Sequence, residues 1–273
     1  MPDIVDEDDR AEYFAITDEM IKQSCEGVVA IFMEDKLNDH GNGAYSPIDH
    51  YTAVECEGYR RPLCSTEKYY GQPNGAILSG VLVAEDIVAT TNHYLPGDDD
   101  INRVFFVFDF RLTKAQQQVI IPIENVFRGK CVIKRSVGTV DFALIRLERK
   151  ASANRVRKIT SELGSLNGHS AYVLGHPCGL PLKYGGTAAL RKTDKPEIFL
   201  ADFDTYNGNS GSPIFDCVSH KVVGIVVRDK VKDFKPNGNN TCCKSRVEAS
   251  SLVSGDECLK SSLFAGFITS NCP

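Results

Sequence analysis

Apolar residues fall in short runs bounded by glycine, proline and polar turns, a pattern of strands rather than helices. From Gly80 the chain reads Val81 to Val83, then Ala84-Glu-Asp86, then Ile87 to Thr91. This predicts strand, turn, strand, with His93 at the end of the second strand. Val140-Asp-Phe-Ala-Leu-Ile-Arg-Leu147 predicts an apolar strand that opens on a carboxylate, and Pro213-Ile-Phe215 predicts a strand that follows a glycine-rich turn. The exception is Arg10 to Glu26, where Tyr13, Phe14, Ile16, Ile21 and Cys25 predict a short helix or an arm packed on the strands. No internal repeat or low-complexity tract interrupts the pattern. No apolar run reaches the roughly 18–20 residues of a membrane span, so no membrane partner is expected.

Candidate chemistry sits at the edges of these runs. In Asp204-Thr-Tyr-Asn-Gly-Asn-Ser-Gly-Ser-Pro213, Ser210 lies between Gly208 and Gly211, just before an apolar strand. A serine in such a turn is poorly placed for packing and well placed to act as a nucleophile. Glycines let the backbone turn sharply and bring N–H groups to one point. A serine hydroxyl alone is a weak nucleophile, so a base and an orienting acid are needed. His93, at a strand end, can face a cleft on a rigid backbone, and its ordinary pKa of about 6.5 suits proton transfer. Asp141, at the edge of a core, needs a partner because an unpaired buried charge is costly, and an imidazole N–H is a natural one. The plainer alternatives are a loop histidine and a carboxylate paired with lysine or backbone.

Together the three segments resemble the chymotrypsin fold, in the branch of bacterial trypsin-like and glutamyl-endopeptidase-like serine peptidases. The match rests on Thr90-Thr-Asn-His93, Asp141-Phe-Ala-Leu-Ile-Arg-Leu147 and Gly208-Asn-Ser-Gly-Ser-Pro213, in the order His, Asp, Ser. Other orders mark subtilisin-like and α/β-hydrolase enzymes. Gly175-His-Pro-Cys-Gly-Leu-Pro-Leu-Lys183, Asp204-Thr-Tyr206 and Val223-Gly-Ile-Val-Val-Arg228 add to it, with a weaker echo at Asp8-Asp9-Arg10. The resemblance implies an all-β chain of two packed six-stranded antiparallel barrels. Residues 1–24 form an acidic arm, 25–155 the first barrel with His93 and Asp141, and 156–273 the second with Ser210. It implies catalysis by His93, Asp141 and Ser210, an oxyanion hole from the N–H groups of Gly208 and Ser210, and protein or peptide substrates.

The resemblance also places Asp204, six residues before the nucleophile, at the base of the primary specificity pocket. Thr205, Val227 and Arg228 join it as substrate-binding residues, and Arg228 can pair with Asp229. A carboxylate there would select Arg or Lys by a charge-assisted pair. Val226 stands where glutamate-selective relatives usually carry a histidine. The alternatives are Asp202 in that role, another primary specificity such as glutamate, or a binding module that lost turnover. Asn209 stands where digestive enzymes have the aspartate that captures a freed N-terminus, which implies an oxyanion loop formed without that capture. His176, in a turn rich in breakers, is read as structural.

The net charge of −5 lies largely in the first ten residues, where five acids face Arg10. The remainder is nearly neutral, which argues against nucleic acid as a partner, and the start reads as a solvated tail or processed remnant. Ten cysteines point to an oxidising compartment, secreted or periplasmic. No secretory signal opens the chain, as if one had been removed. The missing Cys-x-x-Cys argues against a thiol redox protein. Spacing suggests Cys56–Cys64 and a bridge from Cys242 or Cys243 to Cys258, with Cys25, Cys131, Cys178 and Cys217 as buried thiols. Asp98 to Asp100 with Asn102 lack the glycine and glutamate of a calcium loop and read as a solvated turn. No metal or cofactor is expected, and single-copy motifs favour a monomer.

Overall fold

The computed structural model describes residues 4–5, 7–160, 168–228, 233–248 and 255–272, with the Arg228 side chain outside the description. The N-terminal arm contributes β1 (Ala11–Glu12) and α1 (Glu19–Cys25). Asp18 caps α1 by accepting the N–H groups of Met20 and Ile21. The first half contains β2 (Val28–Met33), β3 (Ala53–Cys56), β4 (Tyr59–Pro62), β5 (Leu78–Ala84), β6 (Ile87–Thr90), β7 (Val104–Val107), β8 (Val126–Ser136) and β9 (Phe142–Leu147). Six of these close into an antiparallel barrel in the order β5-β6-β9-β8-β7-β2.

The second half contains β10 (Ser170–Gly175), β11 (Lys183–Ala189), β12 (Arg191–Lys192), β13 (Ile198–Ala201), β14 (Pro213–Asp216), β15 (Val222–Arg228), β16 (Phe234–Pro236), β17 (Cys243–Ser245) and β18 (Asp256–Lys260). Here the expected second six-stranded barrel takes a more open form. Eight strands run β12-β13-β18-β15-β14-β10-β11-β1 as a curled half-barrel. The arm supplies the last strand, with Glu12 opposite Lys183.

Why the strands read as unbroken apolar runs is clear from the packing. Side chains alternate across a strand, and here both faces are buried. In β5 and β6, Leu78, Leu82 and Val88 fill the barrel. Val81, Val83, Ile87 and Ala89 instead join Tyr172, Leu174, Phe215 and Ile225 in the layer between the halves.

Two expectations are corrected. Cys56 pairs with Cys243 and Cys64 with Cys242, not with each other, and Cys131 is bridged to Cys272. Cys258 is a buried free thiol, one strand partner of β13 and β15. Cys56 ends β3 and is buried in one cluster with Phe234 and Cys243 of the second half, so the bridges run between distant segments. Three disulfides suggest an oxidising, extracellular setting. Among the described residues no helix is long and apolar enough to cross a membrane. Second, the acidic start is not simply a solvated tail. Asp8 holds the guanidinium of Arg10 through two bonds of 2.9 and 2.8 Å. Arg10 is buried between the rings of Tyr69 and Tyr206.

Candidate active site

Adjacent strands bring His93 and Asp141 together, and Ser210 is anchored to one strand of the same group. β6 pairs with both β5 and β9. His93 follows β6 by three residues, and Asp141 immediately precedes β9. Ser210 is tied to β5, where the Ser79 N–H donates to the Ser210 carbonyl at 2.9 Å. Gly211 touches β6 as well. A β-carbon there would overlap the Ser79 carbonyl and the Thr90 hydroxyl, and its φ of +84° independently calls for glycine.

The Asp141 carboxylate fixes the histidine twice. Oδ1 accepts the backbone N–H groups of Asn92 at 2.8 Å and His93 at 3.3 Å. Oδ2 lies 2.5 Å from His93 Nδ1. Burial alone would raise the Asp141 pKa, but the His93 ring and the Asn92 N–H outweigh it and hold the group below the ordinary carboxylate range. An ionised carboxylate only accepts, so Nδ1 carries the proton and Nε2 is left as the acceptor. The His93 ring is partly exposed and meets Tyr94 edge-on at 5.0 Å. Ser210 is buried, and its hydroxyl has no hydrogen-bond partner among the described residues. In unliganded sites such bonds are often long and tighten on substrate binding.

The loop before Ser210 is braced from several sides. The Asn209 N–H donates to the Tyr206 carbonyl, and the Ser212 hydroxyl donates to Asn209 Oδ1 at 3.1 Å. Gly211 N–H donates to Val226 O, and Val226 N–H to Ser212 O. Gly208, at φ +98°, lies so close to His176 O that a β-carbon would come within 2.7 Å. The N–H groups of Gly208 and Ser210 have no acceptor among the described residues. Two open donors flanking a serine can stabilise an oxyanion that forms beside it.

Ser79 is the residue that sequence reasoning missed. It is fully buried, and its hydroxyl donates to Gly208 O at 2.9 Å while accepting the His176 N–H at 2.9 Å. A lone hydroxyl inside an apolar strand was the available signal. His176 is buried, donates from Nδ1 to Leu180 O at 2.9 Å and stacks on Phe110. Burial drives its pKa down to about 3, against the opposing pull of the Leu180 carbonyl.

The proposed specificity residues lie apart from this cluster in their commitments. Asp204 is buried, and its Oδ2 accepts the backbone N–H of Asp9 at 2.5 Å. The Thr205 hydroxyl donates to Asp256 at 2.8 Å. Val227 packs its side chain in the layer between the halves. Arg228 ends β15 opposite Glu257, while its side chain and all of Asp229 lie outside the described residues. Asp202 forms a two-pronged ion pair with Arg191.

The chain is similar in fold to a Glu endopeptidase solved in complex with MPD. That likeness has a TM-score of 0.53 at 13% identity and covers 97% of each chain. An inactive form of the Rv3671c protease, of M. tuberculosis, aligns with a TM-score of 0.49 at 14% identity over 90% of this chain and 89% of that one. No curated protein sequence matches the chain. A model of the trypsin-like peptidase domain matches residues 78–225, more than half of the length. That span opens at the strand of Ser79, closes within β15, the second strand after Ser210, and takes in His93 and Asp141 on the way: the chain belongs to the trypsin-like peptidase family.

Proposed function

We propose that the protein is a serine endopeptidase in which Ser210, His93 and Asp141 act as nucleophile, base and orienting acid. The observation that carries the reading is the Asp141 carboxylate bonded to both the ring and the backbone of His93. Ser210 Oγ attacks the scissile carbonyl, and its proton passes to His93 Nε2. The N–H groups of Gly208 and Ser210 receive the oxyanion. His93 then returns the proton to the leaving amine, and water releases the acyl group by the same route. In its primary preference the enzyme cleaves after Arg or Lys, with Asp204 as the selecting carboxylate.

The bond from the Asp9 N–H to Asp204 favours a second reading, in which Asp204 anchors the arm and another group selects the substrate. Peptide-library hydrolysis read by mass spectrometry separates the two. Cleavage after Arg or Lys that vanishes in Ser210→Ala and loses its preference in Asp204→Asn supports the first. Ser210-dependent cleavage after other residues supports the second. Cleavage unchanged in Ser210→Ala, or none by the wild type, refutes the nucleophile assignment.

A further inference from the structure

A cavity of about 370 Å³ lies where α1 meets the chain that joins the two halves, and it shares no residue with the site of Ser210. Arg157, Lys158 and Lys221 line it beside the imidazole of His220, and no Asp or Glu does. The whole chain carries a net charge of −5, so this concentration of cations runs against the average. Arg157 is buried, and its stem lies so close to Gly27 that a β-carbon there would come within 2.5 Å. Its Nε, Nη1 and Nη2 donate to the carbonyls of Arg155, Gln23 and Asn154. A guanidinium has five N–H groups, so one remains on each terminal nitrogen. Burial pushes the Arg157 pKa below its ordinary value, and Glu26, which opposes that shift, is itself bonded to Arg111 at 2.7 Å. Ile159 pairs with Val222 across a parallel bridge, and both pack in the layer between the halves. Side chains alternate along a strand, so Lys158 and Lys221 both turn to the opposite side, next to each other. Like charges abreast are destabilising, and neither lysine has a carboxylate partner among the described residues.

We propose that this cavity binds a sugar that carries a phosphate or sulfate ester. The three cations call for the oxoanion. One open N–H on each terminal nitrogen of Arg157 suits a two-pronged contact, and an anion between Lys158 and Lys221 removes their repulsion. The rest of the lining calls for the sugar. Gln23 and Asn154 add amides and Ser219 adds a hydroxyl, while no Phe, Tyr or Trp ring lines the cavity to stack on a nucleobase. The volume exceeds what an oxoanion alone requires and falls within the roughly 300–1,000 Å³ of small-ligand sites. The frame is rigid. His220 sits at φ +52°, with Nδ1 2.9 Å from the Tyr172 hydroxyl, which lies 2.8 Å from Ser24 Oγ. Asp216 accepts the Ser219 N–H and hydroxyl, each at 2.7 Å, and does not itself line the cavity.

Calorimetric titration of the full chain, as the Ser210→Ala form to prevent self-digestion, tests the site without any readout of activity. Glucose 6-phosphate and glucose 6-sulfate probe the free ester, and dextran sulfate probes the same group on a polymer. The bound probe should be at least about tenfold tighter than its uncharged counterpart, glucose or dextran. Lys158→Gln together with Lys221→Gln, both at exposed positions, should weaken that binding about tenfold. Lys130→Gln, an exposed lysine outside the cavity, should leave it unchanged. Asn154→Trp fills the cavity from another exposed position and should abolish binding without altering a charge. Binding of the monomers assigns a free sugar ester, and binding of dextran sulfate alone assigns a sulfated chain. Binding of none of these probes, an equal loss in Lys130→Gln and in the double lysine variant, or binding that survives Asn154→Trp overturns the site. Inorganic phosphate bound as tightly as glucose 6-phosphate overturns the assignment to a sugar.

Discussion

At the scale of single residues the site depends on buried polar atoms that each tie two groups together, as Asp141 Oδ1 ties two N–H groups and the Ser79 hydroxyl ties Gly208 O to the His176 N–H. Asp141→Asn keeps the shape but favours the wrong histidine tautomer. It should lower kcat by about 10⁴, measured by steady-state turnover of an ester or peptide. Ser79→Ala leaves Gly208 O and His176 N–H without their shared hydroxyl. It should cost about 1–3 kcal/mol, read by urea denaturation in a Ser210→Ala background that prevents self-digestion. His176 sets a pH dependence. Its folded pKa of about 3 lies below the ordinary 6.5, so the unfolded chain binds the extra proton between those values. Stability should therefore be intact above about pH 6.5 and fall as pH drops towards 3. His176→Phe should flatten that slope in denaturant midpoints measured across the range. The positions of His93, Asp141 and Ser210 were legible because each stands at the edge of an apolar run. Ser79 was only half legible: a hydroxyl inside such a run marks a buried polar group, but not the partners it will meet.

At the scale of elements, the apolar runs at 78–90 and 140–147 were readable as strands because both of their faces are buried. The second half was less readable. Its outer strand β1 comes from an arm of only two paired residues, which no periodicity can reveal. The cysteine bridges were equally hidden, since the nearest partners in sequence are not the nearest in space. Those bridges overlap almost completely. Cys56–Cys243 spans 187 residues and Cys64–Cys242 spans 178. With one in place, the other closes only a short additional loop. Removing either alone should cost about 2–3 kcal/mol, while removing the second should cost about 5 more. Paired Cys→Ser substitutions, singly and together, measured by denaturant unfolding, test this imbalance.

For the whole molecule, the arm is a clamp rather than a tail. Lys183 is buried and donates to Glu12 and to Gln72, each at 3.0 Å, so the arm, the segment after the hairpin and the second half meet on one ammonium. Arg10 does the same through Asp8, Tyr69 and Tyr206. Arg10→Ala should destabilise the fold by about 3 kcal/mol, because it leaves the Asp8 carboxylate with less than its full set of partners. Differential scanning calorimetry of the Ser210→Ala form with and without the substitution checks it. The charge count alone suggested solvation here, because it weighs Asp8 and Arg10 as charges and not as a pair. The adjacency of Cys242 and Cys243 has a consequence for making the protein at all. Each faces a different partner, yet the two differ by a single residue of register, so a chain oxidised before the hairpin has seated can cross its links and yield two topological isomers of identical mass. Partial reduction with stepwise alkylation, followed by fragmentation between Cys242 and Cys243, would tell them apart, and a thiol–disulfide shuffling catalyst should drain the crossed isomer into the native one.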